Sequence, residues 1–409
     1  MKILIVCRLM SGFTESVQTL NWAPTGSPAI YKMIEGLLSR EIKFSIVFTA
    51  KESGYDFTGD WKEPFDKNIK INGLNSSLTI LSGTARIPNF FGRWRGHISN
   101  FRQTWKIWKI VKQKKPTILY VDRSNIFAGA IVARFTKTKV VVRVLGITPS
   151  MKKMIKGKAL SDKFNKWCYQ SPFKMVIGSN DGSDILKQFE ILLNPAVPRE
   201  VRLNGVNFTK DKTGQALEKR AQLNIALVGR LDPLKRTDEV INAILEMNPE
   251  KREKIYLHVV GNGILYKPLK ELADASNSKK FIKFYGGIPH KDVDEILNKC
   301  EVYISLNAQG NLSNSNLEAL AKGLVLILPE PNVEEGIDVN TYKVIPPDAC
   351  IKLNNNELKQ SLINTIEKLI DDPIIIDKLK LHTLRARENL VNWETRINWE
   401  IELMKGLTK

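Results

Sequence analysis

Short apolar runs recur along the chain, separated by stretches with helical periodicity. In the first half KILIVC (2–7), FSIVFTA (44–50), LTILS (78–82), TILYVD (117–122), KVVVRVLG (139–146) and MVIGSND (175–181) read as strands, and PREVRLNGV (198–206) continues the strand-and-turn pattern. Runs this continuous suit strands covered on both faces, hence a parallel sheet. A helix is predicted over Ala29–Ser39, with Pro28 in its first turn. Residues 51–77 are polar and carry no assignment. In RIPNFFGRWRGHISNFRQTWKIWKIVKQKKP, Trp94, Ile98, Phe101, Trp105 and Trp108 recur at steps of four and three, one face of a helix. Such a stripe is more often a core face than a membrane contact, although its basic flank also suits an interfacial helix.

A second series begins beyond the Asn204-Gly205 turn signal. It runs through NIALVGR (224–230), IYLHVVGNG (255–263), FIKFYGG (281–287), EVYISL (301–306) and LVLIL (324–328), with helical stretches between them. Repeated βα units imply a second, mostly parallel sheet. The tail from about Asn355 is helical, with Trp393 and Trp399 as packing anchors. The expected organisation is two domains, 1–200 and 201–385, with a closing helix, 386–409, packed on the first.

The stretch NIALVGRLDPLKR (224–236) carries the first chemistry. An apolar strand ends in Gly229, Arg230 and Lys235 follow in a basic turn, and the helix TDEVINAIL begins at Thr237, a residue able to cap it. A glycine there admits a ligand to the backbone, and two cations beside a helix N-terminus suit a diphosphate. A solvated basic loop is an equal reading of these residues alone. The stretch CEVYISLNAQGNLSNSNLEALAKGLVLIL (300–328) shifts the balance. Its loop is rich in Gly, Ser and Asn, and offers backbone N–H groups to an anion. Glu318 lies in the following helix, where a carboxylate accepts from hydroxyls. Cations, donor-rich loop and carboxylate together suit a sugar nucleotide. Gly261 and Gly263 close another strand near the ligand, and Gly286, Gly287 and Ile288 offer backbone contacts to a base.

In the first half the strand ends supply candidates for an acceptor: Asp122, Arg123 and Asn125 after TILYVD, and Arg143 inside KVVVRVLG. Arg143 in an apolar strand requires a partner, and Asp122 is one choice. The loop containing Gly26 is a further acceptor-side candidate; it lacks the dinucleotide fingerprint.

Length and charge narrow the classes. At 409 residues two domains are the default. No apolar run reaches membrane-spanning length. The four cysteines, Cys7, Cys168, Cys300 and Cys350, are scattered, with neither metal nor disulfide spacing, which fits a reducing cytoplasm. The formal charge is +19, and from Lys67 to Ser161 the only acidic residue is Asp122. That stretch holds Arg93, Arg95, Arg102, Lys106, Lys109, Lys112, Lys114, Lys115, Lys137, Lys139, Lys152, Lys153, Lys156 and Lys158. A field of one sign implies an anionic partner. No compact nucleic-acid module is present, so an anionic membrane surface or a phosphate-bearing acceptor is expected instead.

The pieces RLNGVN (202–207), VGRLDPLKR (228–236), VVGNG (259–263), FYGGIPHKDVDEIL (284–297) and NLSNSNLEALAKG (311–323), in this order and spacing, resemble the retaining glycosyltransferases of family 4. The resemblance covers most of the chain and sharpens after Gly205. It implies the GT-B fold, α/β with two Rossmann-like domains facing across a cleft. It implies that Arg230 and Lys235 bind the donor diphosphate, that Glu318 holds the ribose, and that Gly229 lies close to the phosphates. The donor would be a UDP- or GDP-sugar, with no metal and no further cofactor. The acceptor would be a glycan or lipid-linked glycan of a surface polysaccharide, handled at the inner face of the membrane. The family commonly has two glutamates eight residues apart; eight before Glu318 stands Gly310, and the EGFG-like run reads GNLS. Asn311, Leu312, Ser313 and Asn314 are the candidates for the missing sugar contacts. Leu145 stands near a usual histidine, and no general base or nucleophile is evident. A sugar-nucleotide epimerase and a non-catalytic protein of the same fold are the rival readings.

Overall fold

The computed structural model describes residues 1–51, 63–85, 87–207 and 222–408. The unassigned stretch therefore falls partly outside the described residues, at 52–62. The chain divides into two compact units. The first comprises Met1–Ser179, Ile185–Arg202 and Glu394–Lys409; the second comprises Asn180–Asp184 and Leu203–Trp393. The closing helix, Trp393–Thr408, thus joins the first unit from Glu394, and residues 386–393 stay with the second.

The first unit is an eight-stranded sheet of β1 (Lys2–Arg8), β2 (Lys43–Thr49), β3 (Lys67–Ile69), β4 (Leu78–Leu81), β5 (Ile118–Asp122), β6 (Lys139–Val144), β7 (Met175–Ser179) and β8 (Arg199–Arg202). Its order is β3-β4-β2-β1-β5-β6-β7-β8. Every pairing is parallel except β3 with β4. The second unit is a six-stranded parallel sheet of β9 (Leu223–Val228), β10 (Ile255–Val260), β11 (Ile282–Gly286), β12 (Val302–Ile304), β13 (Val325–Pro329) and β14 (Cys350–Leu353), in the order β11-β10-β9-β12-β13-β14. β5 and β13 are buried along their whole length, as expected where helices cover both faces. Among the described residues, an apolar cluster around Leu4, Val121 and Val142 lies in the first unit. Clusters centred on Ile225, Val259 and Ile327 and on Ala226, Tyr303 and Leu326 lie in the second. In this sheet the chain order reverses between β9 and β12, and open α/β sheets place ligands beyond the strand ends at such a point.

Two local expectations are corrected. The aromatic stripe of the helix Arg95–Lys114 does not face the core: Trp94, Ile98, Phe101 and Trp105 are exposed, and Trp108 is half-buried. The buried positions are instead Ser99, Gln103, Thr104, Ile107 and Val111. Gln103 explains the polar choice, since its amide donates to Ala50 O at 2.9 Å and Ser82 O at 3.0 Å, carbonyls at the ends of β2 and β4. A helix laid over strand ends satisfies carbonyls there, so its inner face is partly polar. Thr237 does not cap the helix Thr237–Glu246. Arg236, at φ 50°, occupies the cap position, and Thr237 is buried as the first helical residue.

Candidate functional site

Beyond β9 the backbone turns at Gly229, and Asp232 organises the basic segment after it. Its buried carboxylate accepts from Leu234 N at 3.0 Å and Lys235 N at 3.2 Å, capping the short turn Pro233–Lys235. It also accepts from Arg230 Nε at 2.5 Å. One acidic side chain thereby fixes both cations of the turn. Lys235 joins Gly229, Arg230, Thr237, Tyr303 and Ser305 around a small pocket at the ends of β9 and β12. Burial lowers the Lys235 pKa, Asp232 and Asp181 oppose that shift, and Arg230 adds to it. A nearby anion favours the charged ammonium, so the turn gains from a phosphate. A Cβ on Gly229 would approach nothing nearer than Lys235 Cε at 3.8 Å, leaving this face of the backbone open.

Gly261 and Gly263 lie behind this turn. A Cβ on Gly261 would lie 1.8 Å from Gly229 O, and one on Gly263 would lie 2.3 Å from Leu231 O. Their φ angles, 134° and 158°, also favour glycine. They let the 260–263 loop press against the basic turn, and Leu231 N donates to Asn262 O at 2.9 Å. Their evident task is support of the turn. Gly287 has open space, with Asn262 Cβ 3.8 Å from its notional Cβ, while Ile288 packs partly buried against the core.

In the loop after β12 the donor-side candidates differ in what they bond to. Asn311 is fully buried: its Oδ1 accepts from Ser305 Oγ at 2.7 Å, and its Nδ2 donates to Asp338 Oδ2 at 2.6 Å. Its N–H goes to Asp338 Oδ1, and the Leu312 N–H goes to Asp181 O at 3.1 Å. These two residues bolt the loop down, and their amides are spent on it. Ser313 and Asn314 are half-buried at the start of the helix Asn314–Ala321; Ser313 Oγ donates to Asn316 at 2.6 Å, and Asn314 accepts from Asn204 at 2.8 Å. The helix start has no side-chain cap bond, which leaves N–H groups directed beyond it. Gly310 has a steric reason: a Cβ would lie 2.2 Å from Asp181 O.

Glu318, on that helix, is buried and accepts from His290 Nε2 at 2.9 Å. His290 begins the helix His290–Leu297, its Nδ1 lies 3.7 Å from Asp294, and Lys322 lies 3.0 Å from Asp294. Hydrogen bonds to Asp294 and Glu318 raise the His290 pKa to about 10, so the imidazole is cationic at neutral pH. Sequence reasoning named Glu318 without its partner. The hint was present in GGIPHKD, where Pro289 precedes a histidine at a helix start, but no pattern links positions 290 and 318. Asp181, Asp232 and Asp338 were also missed: Asp181 and Asp338 meet Leu312 and Asn311 across long separations, whereas the local role of Asp232 was hinted by the Asp-Pro turn in RLDPLKR.

Residues 209–380 match the family model described as glycosyl transferases group 1. A stretch of 148 residues is 28% identical to an uncharacterized glycosyltransferase of Methanocaldococcus jannaschii, covering 36% of this chain and 36% of that relative's length. Among solved structures, sucrose-phosphate synthase from Thermosynechococcus elongatus superposes with a TM-score of 0.71 at 13% identity, covering 100% of this chain and 99% of that one. HepE of Anabaena, in complex with UDP and glucose, gives 0.66 at 14% identity over 99% of both chains. At these identities the likeness establishes the fold, the two-domain α/β architecture of GT-B type. The family-model match falls within the second unit, which carries the Arg230–Lys235 turn and Glu318.

The acceptor-side candidates Arg143, Asp122 and Asn125 are held in hydrogen-bond networks inside the first unit. Arg143 is 1% exposed, and its guanidinium donates to Val144 O at 3.0 Å and Ser179 Oγ at 2.9 Å, with Glu400 Oε1 3.6 Å from Nε. Its acidic partner comes from the closing helix and is not Asp122. Asp122 is buried and accepts from Arg8 N at 2.9 Å and Asn125 Nδ2 at 2.7 Å. Asn125 is buried and accepts from Thr49 Oγ1 at 2.9 Å. This network ties the ends of β1, β2 and β5 together. Gly26 is half-buried against Gly12, whose notional Cβ would lie 2.3 Å from Gly26 N. Arg123 is half-buried, with a hydrogen bond to Tyr169. Among the described residues no group of three or more His, Cys, Asp or Glu is placed to hold a metal, and no helix is long and apolar enough to cross a membrane.

Proposed function

We propose that the chain is a retaining glycosyltransferase that moves a sugar from a UDP- or GDP-sugar to a glycan or lipid-linked acceptor in surface-polysaccharide synthesis. The observation that carries this is the pairing, at one switch point, of the Asp232-organised cations Arg230 and Lys235 with the Glu318–His290 carboxylate. Arg230 and Lys235 receive the diphosphate, whose charge grows as its bond to the anomeric carbon breaks. The acceptor hydroxyl oxygen forms the new bond on the same face, and its proton passes to the leaving diphosphate. Glu318, oriented by His290, accepts from ribose hydroxyls. The amides at the start of Asn314–Ala321 face the donor, in place of the side chains of Asn311 and Leu312. UDP in HepE, a structure of the same fold, supports the donor class. The basic first unit holds the enzyme against the anionic inner face of the cell membrane.

The test is purified protein with a donor panel, with and without lipid-linked acceptor. Sugar transfer that requires acceptor is expected. Isomerised donor without acceptor would establish an epimerase, and absence of nucleotide binding would establish a non-catalytic protein. Arg230→Ala and Lys235→Ala are each expected to lower turnover about a hundredfold or more while the melting temperature holds. Unchanged donor affinity and turnover in both would end the proposal.

A further inference from the structure

One face of the first unit gathers exposed aromatic side chains from three helices. The helix Ile126–Phe135 packs between Arg95–Lys114 and Leu160–Tyr169. On one flank Phe90 is 80% exposed, Phe101 65% and Trp105 48%. On the other, Leu160 is 84% exposed, with Phe164 and Trp167 also at the surface, and Phe135 ends the helix between them. Solvated apolar side chains scattered singly need no explanation, but a set on adjacent elements does.

We propose that this face is a membrane-docking surface whose occupant is a bilayer with anionic headgroups. The inference rests on the membrane placement of the first unit under the proposed function and names the surface responsible; it does not rest on the donor site.

Charge decides among occupants. Between Asp66 and Asp162 the only acidic residue is Asp122, and it is buried. Lys109, Lys112, Lys153, Lys156, Lys158 and Lys163 are all exposed on these helices and the segments joining them. A second copy would set these lysines against their own kind, which disfavours self-association through this face. A nucleic acid would satisfy the lysines, but Leu160 and Ile98 offer no ring on which a base can stack. A headgroup and acyl boundary satisfies both sets, because aliphatic and aromatic tips enter the apolar edge while ammonium groups stay with phosphate. The rings are placed for this: Lys109 Nζ lies 5.2 Å from the centre of the Trp105 ring and Lys112 Nζ 5.4 Å from that of Trp108. Arg134 stands 4.3 Å over Trp167. Each pair combines an apolar body with a cation, the arrangement that suits an interface.

The experiment is co-sedimentation of the full chain with phosphatidylglycerol–phosphatidylcholine vesicles and with phosphatidylcholine alone. Binding to the anionic vesicles only, weakening with salt, is expected. Phe101→Ser with Trp105→Ser, and separately Phe90→Ser with Leu160→Ser, are expected to lower partitioning about tenfold at unchanged UDP affinity and melting temperature. Lys109→Gln with Lys112→Gln is expected to lower it about fivefold per lysine and to reduce the salt dependence. Failure of the unaltered protein to bind anionic vesicles would overturn the membrane reading itself. Vesicle binding that both apolar double variants leave intact would overturn only this assignment of the surface. Lipid-free dimerisation abolished by the same variants would assign the face to a second copy, and RNA that displaces the protein from vesicles without sensitivity to the apolar variants would assign it to nucleic acid.

Discussion

Glycines 261 and 263 act at second hand: each leaves room for a carbonyl of the 229–231 turn. Gly261→Ala places a methyl group onto Gly229 O at a strained φ, so it is expected to cost about 2–4 kcal/mol of stability and to weaken UDP binding together with it. Thermal melts and UDP titration of the same sample check this. Gly310→Glu, which would restore the glutamate pattern of related sequences, is expected to abolish donor binding, because its Cβ meets Asp181 O and forces the anchored Asn311–Leu312 segment away. Arg230, Lys235 and Glu318 could be named as candidates from the sequence because charged residues after a strand or on a short helix announce themselves. Arg143 misled for a related reason. An arginine in an apolar strand signals a partner, but the partner lies far along the chain, at Glu400, and no local pattern points there.

At the scale of elements, two helices starting beside the second sheet hold the Glu318–His290 pair, and the pair makes their packing sensitive to pH. The folded state raises the His290 pKa from 6.5 to about 10, through Asp294 and Glu318. Protonation therefore favours folding: the contribution is complete below about pH 6.5 and is lost as pH rises through about 10. The melting temperature is expected to fall across that interval, and His290→Gln is expected to flatten the fall. The same variant should weaken nucleotide binding about tenfold at neutral pH, since Glu318 loses the group that orients it. Most strands of both sheets were legible because continuous apolar runs have few alternatives; the short β3 and β14, which carry no such run, were not. The aromatic helix was legible as a helix but not in its facing. Periodicity shows that a stripe exists; whether it turns inward depends on what lies beneath, and here strand-end carbonyls called for Gln103.

At the scale of the molecule, the first unit is closed by the helix Trp393–Thr408. Glu400 lies among Tyr120, Arg143 and Arg396: Tyr120 Oη donates at 2.5 Å and Arg396 at 2.6 Å, all in the interior. Glu400→Ala strands two buried guanidinium groups and is expected to cost about 3–5 kcal/mol, measured by denaturant unfolding of the first unit. This arrangement has a consequence for biosynthesis. The strands of the first unit leave the ribosome early, yet β6 carries a charge whose counter-charge is translated only after the whole second sheet. The first unit must wait for its closing helix, while the second, whose early segment Asn180–Asp184 has already been translated, folds ahead of it. Nascent chains arrested after Trp393 should therefore yield a protease-resistant fragment from the later half alone, and release of the final segment should be the event that protects the beginning.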